Sequence, residues 1–306
     1  MMMEPLLTTE VFQIDVARVA AQISEFIEAR RSELHRDGAL VALSGGLDSS
    51  TVLALTVRAM GAERVKALLL PEKQGNPEAV QYAHQVASWL GVETLTRDLT
   101  PILRSLGAYK SVLPRIPTRR ARAFAFQAYF NQRSRNPFLQ LAHGEGNPLM
   151  RHGFAAINIK QRARLVMEYL VAEENNYLVV GCAHKTEDLV GLYVKFGVDD
   201  LADIMPLKNL YRTQTLMLAA YLGVPEEIRS RSPNPDIIPG VRDKYLDLLG
   251  VPAGKIDLVL YGLEHQLPAA VIADQTGVEV EKVTALRDLM NDTDHMRHPN
   301  LAPEFN

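Results

Sequence analysis

The stretch that decides the fold reads Ala39-Leu-Val-Ala-Leu-Ser-Gly-Gly-Leu-Asp-Ser-Ser50. Its first five residues are apolar and predict a short buried strand. The turn Ser44-Gly45-Gly46 ends this strand, and a helical pattern begins near Asp48 and continues to Gly61. Glycines let the backbone approach a bound anion closely, and the unpaired N–H groups of a helix N-terminus point at it. The stretch therefore predicts an anion-binding loop between a strand and a helix.

The side chains of this loop indicate which anion it holds. Ser44, Ser49 and Ser50 offer hydroxyl donors, whereas the carboxylate of Asp48 would repel a bare phosphate. A Mg²⁺ ion between the carboxylate and the phosphates resolves that conflict. The loop is not a Walker A motif, because no Gly-Lys-Ser/Thr follows the glycines. The alternative is a plain strand-to-helix turn in which Asp48 or a serine caps the helix.

The pattern Ser-Gly-Gly-x-Asp-Ser after a strand resembles the pyrophosphate loop of the N-type ATP pyrophosphatases, which cleave ATP to AMP and pyrophosphate. This resemblance implies that the loop binds the ATP phosphates. The phosphate-binding residues that it implies are Ser44, Gly45, Gly46, Asp48, Ser49 and Ser50.

Further apolar runs alternate with helical patterns along the chain. Strands are predicted over Val65–Leu70, Val92–Asp98 and Tyr177–Gly181, and this alternation predicts an α/β fold with a doubly wound parallel sheet. Ligands of such sheets bind at the carboxyl ends of the strands, where the glycine loop lies. The predicted helices cover Thr9–Arg36, Pro77–Leu90, 158–174, 210–222, Lys255–Glu264, Pro268–Gln275 and Glu279–Asn291.

The chain shows no repeat and no convincing linker, so we expect a single domain over residues 1–306. The segment Ser230–Gly240 contains three prolines and predicts a loop, which beside a nucleotide site would act as a lid.

Composition excludes several classes of protein. The 306 residues carry a net charge of −3 and are 47% hydrophobic, which is typical of an ordinary globular protein. No apolar run reaches the ~18 residues of a membrane span, and the first residues lack a signal-peptide pattern. The single cysteine, Cys182, can form neither an internal disulfide nor a cysteine zinc site. We therefore expect a cytoplasmic protein without a membrane partner.

The segment 99–144 contains no acidic residue, and its stretch 119–133 predicts a basic amphipathic helix interleaved with aromatic residues. It could be a nucleic-acid face, a site for the phosphates of a small dinucleotide, or a solvated or dimer-facing helix. The net negative charge of the chain disfavours nucleic acid. The basic residues are Arg104, Lys110, Arg115, Arg119, Arg120, Arg122, Arg133 and Arg135.

From about residue 10 to about residue 300, the chain resembles the NAD synthetase family. Several of that family's motifs occur here in the same order. They are Asn158-x-Lys160-x-Arg162, Val179-x-Gly181 with Glu187, Pro206-Leu-Lys-Asn-Leu-Tyr-Arg-Thr-Gln214, and His295-Met-Arg297 before Pro299.

The resemblance implies an adenine nucleotide alpha hydrolase-like fold with extra C-terminal helices, and a homodimer whose interface lies near helices 119–133 and 158–172. It implies that ATP adenylates the carboxylate of nicotinic acid adenine dinucleotide, which ammonia then aminates. Asp48 and Glu187 would bind Mg²⁺, and Arg212 stands where the family usually has a catalytic lysine. The substrate-binding residues that it implies are Asn158, Lys160, Arg162, Lys195, Asp203, Asp236 and His295.

This chemistry suits the residues. A carboxylate oxygen attacks the α-phosphorus while pyrophosphate leaves, and the charge on the phosphates needs a metal ion, N–H donors and a cation. Asp48 and Arg212 are therefore the predicted catalytic residues. The plain structural alternatives are a helix-capping acid for Glu187 and a helix N-cap for Asn158.

Glutamine-using members of the family carry an additional N-terminal amidase domain with a cysteine nucleophile. This chain reaches its ATP loop at Ser44, and Cys182 follows a buried strand. We therefore expect ammonia to be the direct nitrogen source, while a separate glutaminase partner stays open.

The chain departs from the family at Cys182, over Val198–Asp203, at Asn234–Pro235 and at Met296. Most of these departures fall where the family binds the acid substrate and not where it binds ATP. They leave two alternatives, which are a relative that amidates another carboxylate and a nucleotide-binding homologue without turnover.

Overall fold

The computed structural model describes residues 6–110, 121, 145, 147–235, 238 and 240–298. The predicted basic helix over 119–133 lies outside the described residues except for residue 121. Asp236 and part of the predicted 230–240 lid lie outside them too. The lid and the role of the basic segment therefore stay predictions.

In the described residues, the sheet has four parallel strands in the order β3-β2-β1-β4. The strands are β1 (Gly38–Ala42), β2 (Val65–Leu69), β3 (Glu93–Thr96) and β4 (Tyr177–Val179). The chain adds β2 and β3 on one side of β1 and then returns to add β4 on the other side. The order of the strands therefore switches between β1 and β4. Ligands of doubly wound sheets bind in the crevice outside such a switch point. The predicted parallel α/β sheet is confirmed.

Helices cover both faces of the sheet. In the described part of the chain they are α1 (Val16–Glu33), α2 (Leu47–Met60), α3 (Pro77–Leu90), α4 (Thr100–Ser105), α5 (Pro148–Asn175), α6 (Lys185–Leu189), α7 (Arg212–Tyr221), α8 (Glu226–Arg229), α9 (Lys244–Leu249), α10 (Ala253–Glu264), α11 (Ala269–Thr276), α12 (Val280–Asp292) and α13 (Asp294–Arg297).

Alternation of side chains along the strands creates two cores. Ala39 and Val41 of β1 pack with residues of α1, α2, α3 and α7 on one face. Leu40 of the same strand packs with Val171 of α5 on the opposite face. A further core joins the C-terminal helices around Phe12 and Tyr245, which confirms the extra helices predicted beyond the sheet. The assignment of residues 1–306 to one domain stays a prediction.

Several predicted boundaries were wrong. The single helix expected over Thr9–Arg36 is a 3-10 turn at Thr9–Phe12 followed by α1, because the Asp15 side chain accepts from Arg18 N and starts the helix there. The strand expected over Val92–Asp98 is shorter, and α4, α6, α8, α9 and α13 were not predicted.

Asn158 lies well inside α5, which begins at Pro148, so it is not the N-cap that the sequence had allowed. Among the described helices, none combines the length and the apolar character that a membrane crossing requires.

Candidate active site

A cavity of about 790 Å³ opens at the carboxyl ends of β1, β2 and β4. Its wall consists of the glycine loop, the chain that follows β2, the chain that follows β4, one face of α5 and the described part of the 231–238 loop. This volume is ample for a nucleotide-sized ligand. The predicted phosphate-binding residues in its wall are Ser44, Gly46, Asp48 and Ser49.

The backbone of the glycine loop requires its residue types. Gly45 has φ +74°, and a Cβ atom there would lie 2.5 Å from the Ala79 carbonyl oxygen. Gly46 is the N-cap of α2, so the first N–H groups of that helix face the cavity end of β1. No described side chain caps the N-terminus of α2, so its first N–H groups are available to an anion. The loop is thus folded as an anion-binding site.

The serines of the loop have different partners. Ser49 Oγ accepts from Ser44 N at 3.2 Å and lies 3.0 Å from Ser44 Oγ, so these two hydroxyls hold the loop and remain at the cavity wall. Ser50 is fully buried, and its hydroxyl donates to the Gly46 carbonyl oxygen at 2.7 Å. Gly45 and Ser50 do not line the cavity, and their phosphate contacts stay predictions.

Within the described residues, one cluster of acidic and histidine side chains is arranged to hold a metal ion. It consists of Asp48, His184 and Glu187, with one ligand atom from each lying within 4.8 Å of the others. Asp48 follows β1 and the other two follow β4, so the switch point of the sheet brings them together. His184 was missed, although its position three residues before Glu187 was a signal for a shared helical face.

Lys244, the first residue of α9, forms an ion pair with Glu187 Oε1. Burial raises the pKa of Glu187, but Lys244 and His184 oppose this and the net shift is downward. Glu187 is therefore a buried carboxylate held in its charged form. Lys244 was also missed, because nothing local marks a lysine 57 residues away as its partner.

Arg212 is nearly buried and lines the cavity from the start of α7. A hydrogen-bond network fixes it there: Arg212 N donates to Thr186 Oγ1 at 2.9 Å, and Thr186 Oγ1 donates to Asp257 Oδ1 at 2.6 Å. Asp257 also accepts from the backbone and hydroxyl of Thr213. This network joins α6, α7 and α10, and so fixes the backbone of Arg212 against Thr186 of α6.

Polar residues of α5 form another part of the wall. Asn158 lines the cavity, together with Gln161, Arg164 and Glu168, whose three- and four-residue spacing places them on one helical face. The predicted contact of Asn158 with substrate stays a prediction. Gln161 Nε2 donates to Asp199 Oδ2 at 2.6 Å. Burial raises the pKa of Glu168 to about 8. Burial and the nearby charge of Glu187 together raise the pKa of Asp199 to about 6.

Lys160, predicted to bind substrate, does not line the cavity. Its Nζ lies 2.6 Å from Glu72 Oε1, and both side chains are buried. Glu72 also accepts a hydrogen bond from Tyr109 at 2.7 Å. The geometry thus gives Lys160 a role in joining α5 to the chain after β2.

Four more predicted substrate residues lie apart from the cavity wall, and the structure gives each a protein partner. Arg162 Nη2 donates to the Lys195 carbonyl oxygen at 3.1 Å, and Lys195 Nζ donates to the His295 carbonyl oxygen at 2.6 Å. Asp203 accepts from Val179 N at 2.8 Å. The substrate roles of Arg162, Lys195, Asp203 and His295 stay predictions.

Several of the positions at which the sequence departs from the NAD synthetase motifs reach the cavity. Cys182, Val198, Asn234 and Pro235 all line it, and burial raises the pKa of the Cys182 thiol. In the same loop, Arg231 Nη1 donates to the Gly45 carbonyl oxygen at 2.8 Å, which joins this loop to the phosphate cradle.

Donors from a helix N-terminus, two facing carboxylates and buried cations around one cavity are typical of an α/β nucleotide-binding protein. The family model for NAD synthase matches residues 19–300, so the chain belongs to the NAD synthase family. The resemblance seen in its motifs is confirmed.

Two relatives illustrate the family. The NH(3)-dependent NAD(+) synthetase of Thermotoga neapolitana is 37% identical over 270 residues, which cover 88% of this chain and 91% of that protein. The enzyme of the same name from Methanocaldococcus jannaschii is 32% identical, over 94% of this chain and 96% of that protein.

Solved structures share the fold. NMN synthetase from Francisella tularensis matches with a TM-score of 0.69 and 22% identity, over 96% of this chain and 100% of that one. An NH3-dependent NAD synthetase from Campylobacter jejuni matches with a TM-score of 0.64 and 21% identity, with the same coverage.

Proposed function

We propose that this chain is an ammonia-dependent NAD synthetase. It uses ATP to adenylate the carboxylate of nicotinic acid adenine dinucleotide and releases pyrophosphate, and ammonia then displaces AMP to leave the amide. The observation that carries the proposal is that Asp48, in the glycine loop after β1, lies close to Glu187, which follows β4. The chain is also 37% identical to enzymes named NH(3)-dependent NAD(+) synthetase.

The glycine loop binds the ATP phosphates. The N–H groups at the start of α2, with the Ser44 and Ser49 hydroxyls, donate to the phosphate oxygens. Arg212 lies in the same wall and neutralises the charge that grows on the departing pyrophosphate. An arginine in this position offers two parallel N–H donors, which a lysine does not.

The donor set fits a divalent ion. Asp48 Oδ1 is buried and has no hydrogen-bond partner among the described residues, and Glu187 is held charged opposite it. These two carboxylates would hold Mg²⁺, which when bound withdraws negative charge from the phosphates. Oxygen ligands of this kind are those that Mg²⁺ prefers.

The acid substrate occupies the part of the cavity between α5 and the 231–235 loop. Asn158, Gln161 and Arg164 supply its hydrogen bonds. Because Cys182, Val198 and Asn234 also lie in the wall, a second candidate function is the same chemistry on a different carboxylate, such as a smaller nicotinate nucleotide. The adenylation residues would be unchanged in that case.

The chain is expected to act as a homodimer in the cytoplasm. The exposed side chains of Val166 and Leu170, 60% and 48% accessible, form an apolar strip on α5 that supports this. A stable dimer would bury on the order of 2,000 Å² or more.

The deciding experiment supplies purified protein with ATP, Mg²⁺, ammonium and one acid at a time, and measures AMP and pyrophosphate. Nicotinic acid adenine dinucleotide should give the fastest turnover, and the rate should rise with pH as more ammonium is deprotonated. Faster turnover of nicotinic acid mononucleotide would favour the second candidate. Failure to form AMP with any acid would leave a nucleotide-binding homologue.

A parallel reaction with saturating glutamine in place of ammonium tests the nitrogen source. Ammonia attacks directly in the proposed reaction, so glutamine alone should give no amide product. Efficient turnover of glutamine by the purified chain, without an added partner, would contradict this part of the proposal.

A further inference from the structure

His184 stands between the two carboxylates of the metal cluster. Its Nε2 atom lies 3.8 Å from Asp48 Oδ1 and 3.8 Å from Glu187 Oε2. These distances exceed those of a hydrogen bond, so the imidazole bonds to neither carboxylate. Three electron-rich atoms instead surround a common gap.

The size of this gap suits an ion. Ligand atoms about 2.1 Å from a shared ion stand roughly 3.0 Å apart when adjacent in an octahedron and roughly 4.2 Å apart when opposite. The two separations of 3.8 Å fall between these limits, and the three ligand atoms all lie within 4.8 Å of one another. One ion would therefore contact all three atoms once the side chains draw closer around it.

The hydrogen bonding of His184 leaves it free for that role. The ring is fully buried, and its Nδ1 atom has no hydrogen-bond partner among the described residues. Its Nε2 atom has only the Tyr245 hydroxyl, at 3.5 Å. The nitrogen that lies near the two carboxylates is Nε2, so the unpartnered Nδ1 does not itself mark the ion site. Within the cluster, the buried atom without a partner is Asp48 Oδ1, and such atoms are rare and often mark an ion or a water.

The two carboxylates of the cluster differ in their partners. Glu187 is already paired with Lys244 through Oε1, and Arg212 lines the same cavity. Asp48 Oδ1 has no hydrogen-bond partner among the described residues, so it is the carboxylate oxygen that a bound ion would satisfy.

We propose that His184 Nε2 is the third protein ligand of this site, and that its nitrogen makes the site bind Mn²⁺ more tightly than Mg²⁺. Imidazole nitrogen suits first-row transition ions, whereas Mg²⁺ prefers a shell of oxygen ligands. Mn²⁺ shares the preference of Mg²⁺ for oxygen ligands but belongs to the first-row series, so an imidazole nitrogen favours it over Mg²⁺ by less than it would favour the later ions of that series. The inference rests on the proposed function, which supplies the need for the ion.

The first test needs no variant. Pulsed electron paramagnetic resonance of Mn²⁺ bound to the whole protein, without ATP, should show a coupling to one imidazole nitrogen. Protein labelled with ¹⁵N-histidine should shift that coupling. Mn²⁺ bound with oxygen ligands alone would overturn the inference.

The second test compares His184→Gln with the wild type and with His84→Gln. His84 is exposed on α3, away from the cavity, so its variant is the matched control. The dissociation constant of Mn²⁺ is measured from the free-ion signal, and that of Mg²⁺ by competition. Mutation of residues that only orient a metal ligand lowers metal affinity ~10–100-fold, so His184→Gln should weaken Mn²⁺ binding by at least about tenfold. Mg²⁺ binding should weaken less, because the glutamine side chain offers an oxygen ligand.

An unchanged ratio of Mn²⁺ to Mg²⁺ affinity in folded His184→Gln protein would overturn the inference. Circular dichroism establishes the fold, and the nitrogen coupling of the wild type decides the matter if the variant does not fold. Wild-type protein that makes NAD with Mg²⁺ but shows no nitrogen coupling keeps the proposed function and loses this inference. Nitrogen coupling in a protein that forms no NAD would support His184 as a metal ligand and contradict the proposed function.

Discussion

Replacement of Lys160 by methionine tests whether this residue holds the fold together or binds the substrate. Lys160 Nζ lies 2.6 Å from Glu72 Oε1, and the two side chains are only 8% and 3% exposed. Removal of one partner from a buried ion pair costs ~3–5 kcal/mol, because the other charge is left uncompensated.

The remaining contacts of Glu72 place the cost at the lower end of that range. Its Oε2 atom keeps hydrogen bonds from Tyr109 at 2.7 Å and from Gln74 N at 2.8 Å, while Oε1 loses the lysine. We therefore expect Lys160→Met to lower the free energy of unfolding by about 3 kcal/mol, or about 100-fold in the unfolding equilibrium. Urea denaturation at pH 8 measures this loss.

The effect should depend on pH. Burial raises the pKa of Glu72, but the Lys160 charge and the hydrogen bonds outweigh it, so the pKa is lowered from 4.5 in the folded protein. A lowered pKa means stabilisation that is present above pH 4.5 and lost as the pH falls through the folded pKa. Without Lys160, burial dominates and protonation relieves the buried charge. The difference between the variant and the wild type should therefore shrink from pH 8 to pH 4.

Two comparisons sharpen the test. Lys66→Met breaks a pair with Glu93, whose side chain is 65% exposed, and should cost no more than about 1 kcal/mol. A double-mutant cycle of Lys160→Met with Glu72→Gln isolates the pair. Wild-type stability of Lys160→Met with a raised KM for the dinucleotide would refute the reasoning and restore the predicted substrate role.

Three other expectations follow from the site and the surface. Asp48→Asn and Glu187→Gln should each remove most Mg²⁺-dependent AMP formation, a loss of several kcal/mol in transition-state stabilisation, and full activity in a folded variant would reject the metal assignment. Burial raises the pKa of Glu168 to about 8, so its contribution to stability is present below pH 4.5 and is lost as the pH rises through 8. Glu168→Gln should accordingly stabilise the protein at pH 9 by on the order of 2 kcal/mol but have little effect at pH 4, and equal thermal unfolding shifts at both pH values would contradict this. Sedimentation should show a dimer at micromolar concentration, and a monomer alone would exclude the expected interface.

The local elements of the fold could be predicted from the sequence. Continuous apolar runs predicted β1 and β2, and helical apolar patterns predicted α2 and α3, because each pattern reflects geometry within a few residues. Pro77 and Gly91 fixed both ends of α3, since proline suits the first helical position and Gly91 has the left-handed conformation. The boundary near Asp15 was missed because the capping bond there competes with an unbroken apolar pattern.

By itself, the sequence determined the parallel α/β fold, the glycine loop and its acid at Asp48, and the family to which the chain belongs. Only the tertiary structure decided which polar side chains meet. Lys160 pairs with Glu72 across 88 residues, and Lys244 pairs with Glu187 across 57. Such contacts depend on how α5 and α9 pack against the sheet, and their burial sets the electrostatic energy. A linear pattern does not encode that burial, because desolvation and pairing are determined by neighbours that only the folded chain brings together.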